Sequence, residues 1–145
     1  MSTVGHLVRT NGKTILTVQE GETVYEALTM MAQCDVGCLV VTFGGKLRGI
    51  FTERDYARKV ILLGRSSRDC TVGELMEKPV VVGAECTVEE AQALMASPDK
   101  RVRYLVVCEG EAILGIVSIG DLMKVRMADQ QKLIESLESY IAGPT

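Results

Sequence analysis

Histidine occurs once in this chain, at His6, and none of the five cysteines (Cys34, Cys38, Cys70, Cys86, Cys108) stands in a C-x-x-C pair. Zinc sites draw on spaced Cys and His ligands, so no metal centre is expected. The odd cysteine count and the lack of a signal peptide fit a reducing compartment, where cysteine behaves as a small buried hydrophobe. Cys34 and Cys38 are four apart, but Cys38 opens an expected strand, so the two need not share a helix face as a redox pair. A basic excess is also missing: 16 Lys and Arg face 19 Asp and Glu, for a net charge of −3. Nucleic-acid surfaces are clustered and basic, so nucleic acid is not an expected partner. No apolar run approaches the ~18 residues of a membrane span, and residues 1–6 lack the basic, Arg- and Ser-rich character of a transit peptide. The expectation is a soluble cytoplasmic protein without a membrane partner, an organelle being the alternative. Nor is there a nucleophile with a base, or a carboxylate pair placed in a cleft, so no enzyme is expected.

What is present is a repeat. Gly49-Ile50-Phe51-Thr52-Glu53-Arg54-Asp55 returns as Gly115-Ile116-Val117-Ser118-Ile119-Gly120-Asp121. In each copy an apolar strand end meets a hydroxyl residue, and an aspartate follows three places later. Such a corner permits a capping box, with the hydroxyl accepting from a free backbone N–H while the carboxylate reaches back. It equally suits a ribose-phosphate ligand, because the helix start offers free N–H groups and a positive dipole end. The motif alone leaves both roles open.

The repeat spans the chain. Residues 3–8 correspond to 71–76, 68 apart; 24–31 to 88–95, 64 apart; and 39–41 to 105–107, 66 apart. Each copy opens with a short entry helix (4–8, 72–76) and an apolar strand (14–18, 80–82). Thr23-x-x-Glu26 and Thr87-x-x-Glu90 then cap helices whose apolar stripes, Val24, Ala27, Leu28, Met31 and Val88, Ala91, Leu94, Met95, belong to the core. Two strands joined at glycine turns follow (38–42 and 47–51; 104–108 and 113–117). Their apolar residues run consecutively, which predicts helices on both faces. The fold class is α/β: two pseudo-symmetric β-α-β-β-α halves packed as one module. With 145 residues, 47% of them hydrophobic, the module can bury roughly 68% of its unfolded surface. The expected boundaries are repeat one at 1–63, a polar linker at 64–70, repeat two at 71–127 and a helical extension at 128–145. The extension keeps one apolar stripe (Leu133, Ile134, Leu137, Tyr140, Ile141) until Gly143-Pro144, so it must lie on something. Docking on its own domain and self-association are both open, and a homodimer is the expectation.

Two such halves, each ending in Gly-Ile-x-Thr/Ser-x-x-Asp, resemble a tandem pair of cystathionine-β-synthase-type (CBS) domains, the Bateman module. The resemblance covers essentially the whole chain and is closest to small stand-alone CBS-pair proteins of bacteria and plant mitochondria. It implies adenine-nucleotide ligands (AMP, ADP, ATP or NAD(H)) in two clefts between the halves. One cleft would combine Ile50, Thr52 and Asp55 with Val80, Val102 and Arg103, with Asp55 on the ribose hydroxyls, as an acidic residue serves in dinucleotide folds. The other would combine Ile116, Ser118 and Asp121 with Leu16, Val36 and Gly37. Arg54 and Arg58 join Arg103 at the first cleft, with Lys78 and Tyr104 as weaker candidates, whereas Gly120 and Gly37 stand where the second would need Arg54 and Arg103. Phosphorylated ligand is therefore expected to bind more tightly at the first. The His-Leu-Pro of many family members is replaced by Tyr104-Leu105-Val106 and Cys38-Leu39-Val40, which bears on ligand identity more than on fold. The expected function is a non-catalytic regulatory nucleotide sensor acting on an unknown effector protein. The alternative is a ligand-independent interaction scaffold, for the plant relatives one serving a redox partner of thioredoxin type.

Overall fold

The structure, a computed structural model, describes residues 2–11, 15–98 and 102–142. An entry helix, α1 (Val4–Asn11), precedes the first half, which comprises β1 (Thr17–Gln19), α2 (Val24–Cys34), β2 (Cys38–Phe43), β3 (Lys46–Thr52) and α3 (Glu53–Tyr56), the last continued by a π-helical turn, Ala57–Ile61. A second entry helix, α4 (Val72–Leu75), leads to β4 (Val81–Gly83), α5 (Val88–Met95), β5 (Tyr104–Glu109), β6 (Ala112–Ser118) and α6 (Ile119–Ala142). Each half holds a three-stranded sheet, in the orders β1-β2-β3 and β4-β5-β6. In both, the first pair is parallel and the second an antiparallel hairpin. Gly44 and Gly45, at φ 58° and 79°, supply the left-handed turn that closes the first hairpin.

The strands alternate in what they face, as a period of two requires. Leu39, Val41 and Phe51 pack with α2 in one core, and Leu105, Val107 and Val117 pack with α5 in a second. Residues adjacent to them in sequence form a third core: Cys38 and Ile50 meet Val106, flanked by Tyr104 and Ile116. Each sheet therefore has helices on one face and the other sheet on its opposite face, which corrects the expectation of helices on both. A consecutive apolar run records that both faces are covered, and not by which kind of element.

The entry helices cross over. Val4 and Leu7 of α1 lie in the core of the second half, and Val72 and Leu75 of α4 in that of the first. Backbone bonds fix both exchanges. Val4 and Gly5 donate to the Cys86 and Ala84 carbonyls at 2.8 and 2.9 Å, while Val72 and Gly73 donate to Glu22 and Glu20 at 2.9 and 2.8 Å. The approach at Gly5 leaves no room for a side chain, since a Cβ there would stand 2.6 Å from the Ala84 oxygen.

Three local details depart from the sequence expectation. The first strand starts at Thr17, so Ile15 and Leu16 precede it, and Thr14 lies outside the described residues. The Leu16 carbonyl still accepts from Val40 N–H at 3.1 Å. In α5, Val88, Ala91 and Met95 are buried, but Leu94 is 43% exposed. Six residues on from Val88, it lies roughly 240° round the helix, off the core face. The position equivalent to Leu28 is Gln92, whose Oε1 accepts from Arg126 at 2.9 Å. Finally, α6 docks through Leu122 and Val125 only near its start, and every residue from 127 to 142 is exposed. The stop expected at Gly143-Pro144 falls outside the described residues.

Candidate functional site

At both strand-to-helix corners the capping role is realised. Thr52 N–H and its hydroxyl each donate to Asp55 Oδ2 at 3.0 Å, and Asp55 N–H donates to Thr52 Oγ1 at 3.2 Å. At the second corner Ser118 N–H donates to Asp121 Oδ2 at 2.9 Å, and Asp121 N–H to Ser118 Oγ at 3.1 Å. The two aspartates differ in surroundings. Asp55 is 1% exposed, and its Oδ1 lies 3.0 Å from Lys59 Nζ one turn along. That ammonium also donates to the Leu75 carbonyl at 3.0 Å, so it ties the corner to the exchanged entry helix. Asp121 is half-buried and lines a cavity.

Two cavities open where the sheets meet. The first, about 220 Å³, is lined by Ile50, Val80 and Val102, with Thr52 of the corner and Tyr104. Four cations surround it, Arg54, Arg58, Lys78 and Arg103, so all residues assigned to this cleft line it except Asp55. Asp55 lies buried behind that lining, with Oδ2 engaged in the cap and Oδ1 beside the Lys59 ammonium. The second cavity, about 310 Å³, collects Leu16, Val36, Gly37, Ile116, Ser118 and Asp121, all six residues assigned to that cleft. No Lys or Arg among the described residues lines it, and Asp35 adds a second carboxylate.

Sequence reasoning missed Glu77, Asp35 and the shared wall. Tyr104 lines both cavities. Burial raises its phenol pKa, helped by Cys38 and Glu53 and opposed by Arg103, so its hydroxyl stays protonated and able to donate. Cys38, on the same wall, is pushed up to about 12 by burial, with Asp55 and Glu77 adding repulsion. It remains a thiol, as a small buried hydrophobe should. Glu77 lines the first cavity because its backbone bridges β3: Glu77 N–H donates to Ile50 O at 2.8 Å, and Ile50 N–H to Glu77 O at 3.0 Å. Partial burial raises its carboxyl pKa, and a hydrogen bond and repulsion from Asp55 raise it further, against Lys59 and Arg54. A lone residue bridging a distant strand leaves no periodic trace in sequence. The helix cap of Asp35, at φ 54°, was legible only as the polar end of an apolar stripe.

Comparison with known proteins places this architecture. The chain matches the family described as CBS domain over residues 4–61 and 72–128. It is 36% identical over 152 residues to the mitochondrial CBS domain-containing protein CBSX3 of Arabidopsis thaliana, covering 98% of this chain and 73% of that one. A CBS-domain protein structure from Burkholderia ambifaria MC40-6 is similar at a TM-score of 0.80 and 40% identity, covering 89% and 96% of the two chains. The hexameric CBS-CP12 protein of bloom-forming cyanobacteria is similar at a TM-score of 0.74 and 28% identity, covering 85% and 70%. No helix among the described residues is long and apolar enough to cross a membrane.

Proposed function

The chain belongs to the CBS-domain family, with two copies in tandem, and from that premise we propose that it is a sensor of adenine nucleotides (AMP, ADP, ATP or NAD(H)) without catalytic activity of its own. CBS pairs are in general regulatory modules. The observation that carries the finer reading is the convergence of Arg54, Arg58, Lys78 and Arg103 on a cavity also lined by the apolar set Ile50, Val80 and Val102. Cations with several N–H donors favour phosphate oxygens through charge-assisted hydrogen bonds, and the apolar wall suits a base. In this reading Thr52 contacts ligand and Asp55 positions Thr52. The second cavity, bordered by Asp35 and Asp121, repels phosphates and takes such ligands more weakly. The nucleotide regulates an effector protein by binding two arrangements of the halves with different affinity.

A thermal-shift titration with AMP, ADP, ATP, NAD⁺ and NADH tests this. Ligand at 100 times its dissociation constant stabilises the protein by about 2.7 kcal/mol, and Arg103→Ala removes most of the response. The reading fails if no nucleotide shifts the transition, which leaves a ligand-independent scaffold. It also fails if Arg103→Ala retains the full shift while Asp121→Ala abolishes it, which moves the site to the larger cavity.

A further inference from the structure

The last 16 described residues of α6, 127 to 142, are all exposed. This arm extends about 24 Å beyond its own core at 1.5 Å per residue, and so short a helix is marginal in water without packing. It nevertheless carries large apolar side chains that remain uncovered: Met127, Leu133, Ile134, Leu137, Tyr140 and Ile141, with exposures from 47% to 86%. Their order is specific. Met123, Met127, Gln130, Ile134, Leu137 and Ile141 follow one another at alternating intervals of four and three, the 3.5-residue repeat of a coiled-coil seam.

We propose that this arm pairs antiparallel with the same arm of a second copy of the chain, forming a two-stranded coiled coil centred on Lys132. The seam is self-complementary in that direction. Met123 then lies opposite the partner's Ile141, Met127 opposite the partner's Leu137, and Gln130 opposite the partner's Ile134. Charge selects the direction. Cations Lys124 and Arg126 stand near the start of the arm and Glu135 and Glu138 near its end. Antiparallel pairing sets Lys124 beside the partner's Glu138 twice over by symmetry, and Arg126 beside the partner's Tyr140. In-register parallel pairing would align the two acidic ends, leave Lys124 without a carboxylate and stack Gln130 on Gln130 in the seam. Flanking charges decide partner and orientation in coiled coils, and a single polar seam residue fixes register. The inference rests on α6 alone and is independent of any nucleotide.

Sedimentation equilibrium on the full chain at low ionic strength provides the test. The wild type is a dimer, and Ile134→Asp with Leu137→Asp makes it a monomer; both positions are exposed, so the halves keep their fold. Lys124→Glu and Glu138→Lys each weaken dimerisation roughly tenfold, by turning two attractive flanking pairs repulsive. An equimolar mixture of those two variants regains wild-type affinity, because each reversed charge then meets its opposite in trans. A monomeric wild type, a dimer indifferent to the Ile134→Asp/Leu137→Asp change, or a mixture no tighter than its components would overturn the proposal.

Discussion

Replacing Lys59 by Met should expose how the first corner is held together. The Asp55 carboxylate is 1% exposed, and its Oδ1 faces the Lys59 ammonium at 3.0 Å. With the ammonium gone, Oδ2 keeps the Thr52 N–H and hydroxyl, but the buried charge loses its cation and the Leu75 carbonyl loses a donor. Removing one partner of a fully buried pair costs roughly 3–5 kcal/mol. The Lys59 side chain is 40% exposed, so water replaces part of what is lost and about 2–3 kcal/mol is expected. For a chain of this size that lowers the melting temperature by roughly 5–10 °C, readable by circular dichroism at pH 7. Asp55→Asn in the Lys59→Met background should recover at least half, since no buried charge then remains uncompensated. If Lys59→Met stays within about 0.5 kcal/mol of wild type, the range of ordinary surface substitutions, the pair is not structural.

Two further outcomes follow from the same geometry. Glu77 is an acid whose pKa is raised on folding above its ordinary 4.5, so the folded chain binds the extra proton and stability falls as pH rises through that raised value. Glu77→Gln removes that cost: it should gain on the order of 0.5 kcal/mol at pH 7, allowing for solvent screening, with the gain gone below pH 4.5; an equal gain at pH 3.5 and pH 7 would contradict the carboxylate origin. Gly5→Ala sets a methyl 2.6 Å from the Ala84 oxygen and 2.8 Å from its Cβ, so urea denaturation should show a loss of about 1–3 kcal/mol as α1 is pushed off the second half. Gly21→Ala, with nothing within 4 Å of the new methyl, is the control, and equal effects at the two sites would refute the close approach.

Much of the candidate site was legible because it is written in local pattern, twice. Thr52, Asp55, Ser118 and Asp121 announce themselves by repetition, and capping boxes are formed by residues three apart. Whatever depended on distant partners was not. The Lys59 bond to the Leu75 carbonyl, the Glu77 bridge to Ile50, and the position of Tyr104 on both cavities arise from contacts between separate elements. Gln92 in place of a fourth apolar residue was readable from helix phase, yet its bond to Arg126 was not.

The sequence by itself determined the repeat, the element order within each half, the helix starts and the family, because hydrophobic period, glycine turns and caps act over a few residues. Only the tertiary structure decided that α1 serves the second half and α4 the first, and that the two sheets cover each other. An apolar face requires burial without specifying what buries it, so the partner is selected by shape and backbone fit, as at Gly5 against Ala84, and not by pattern.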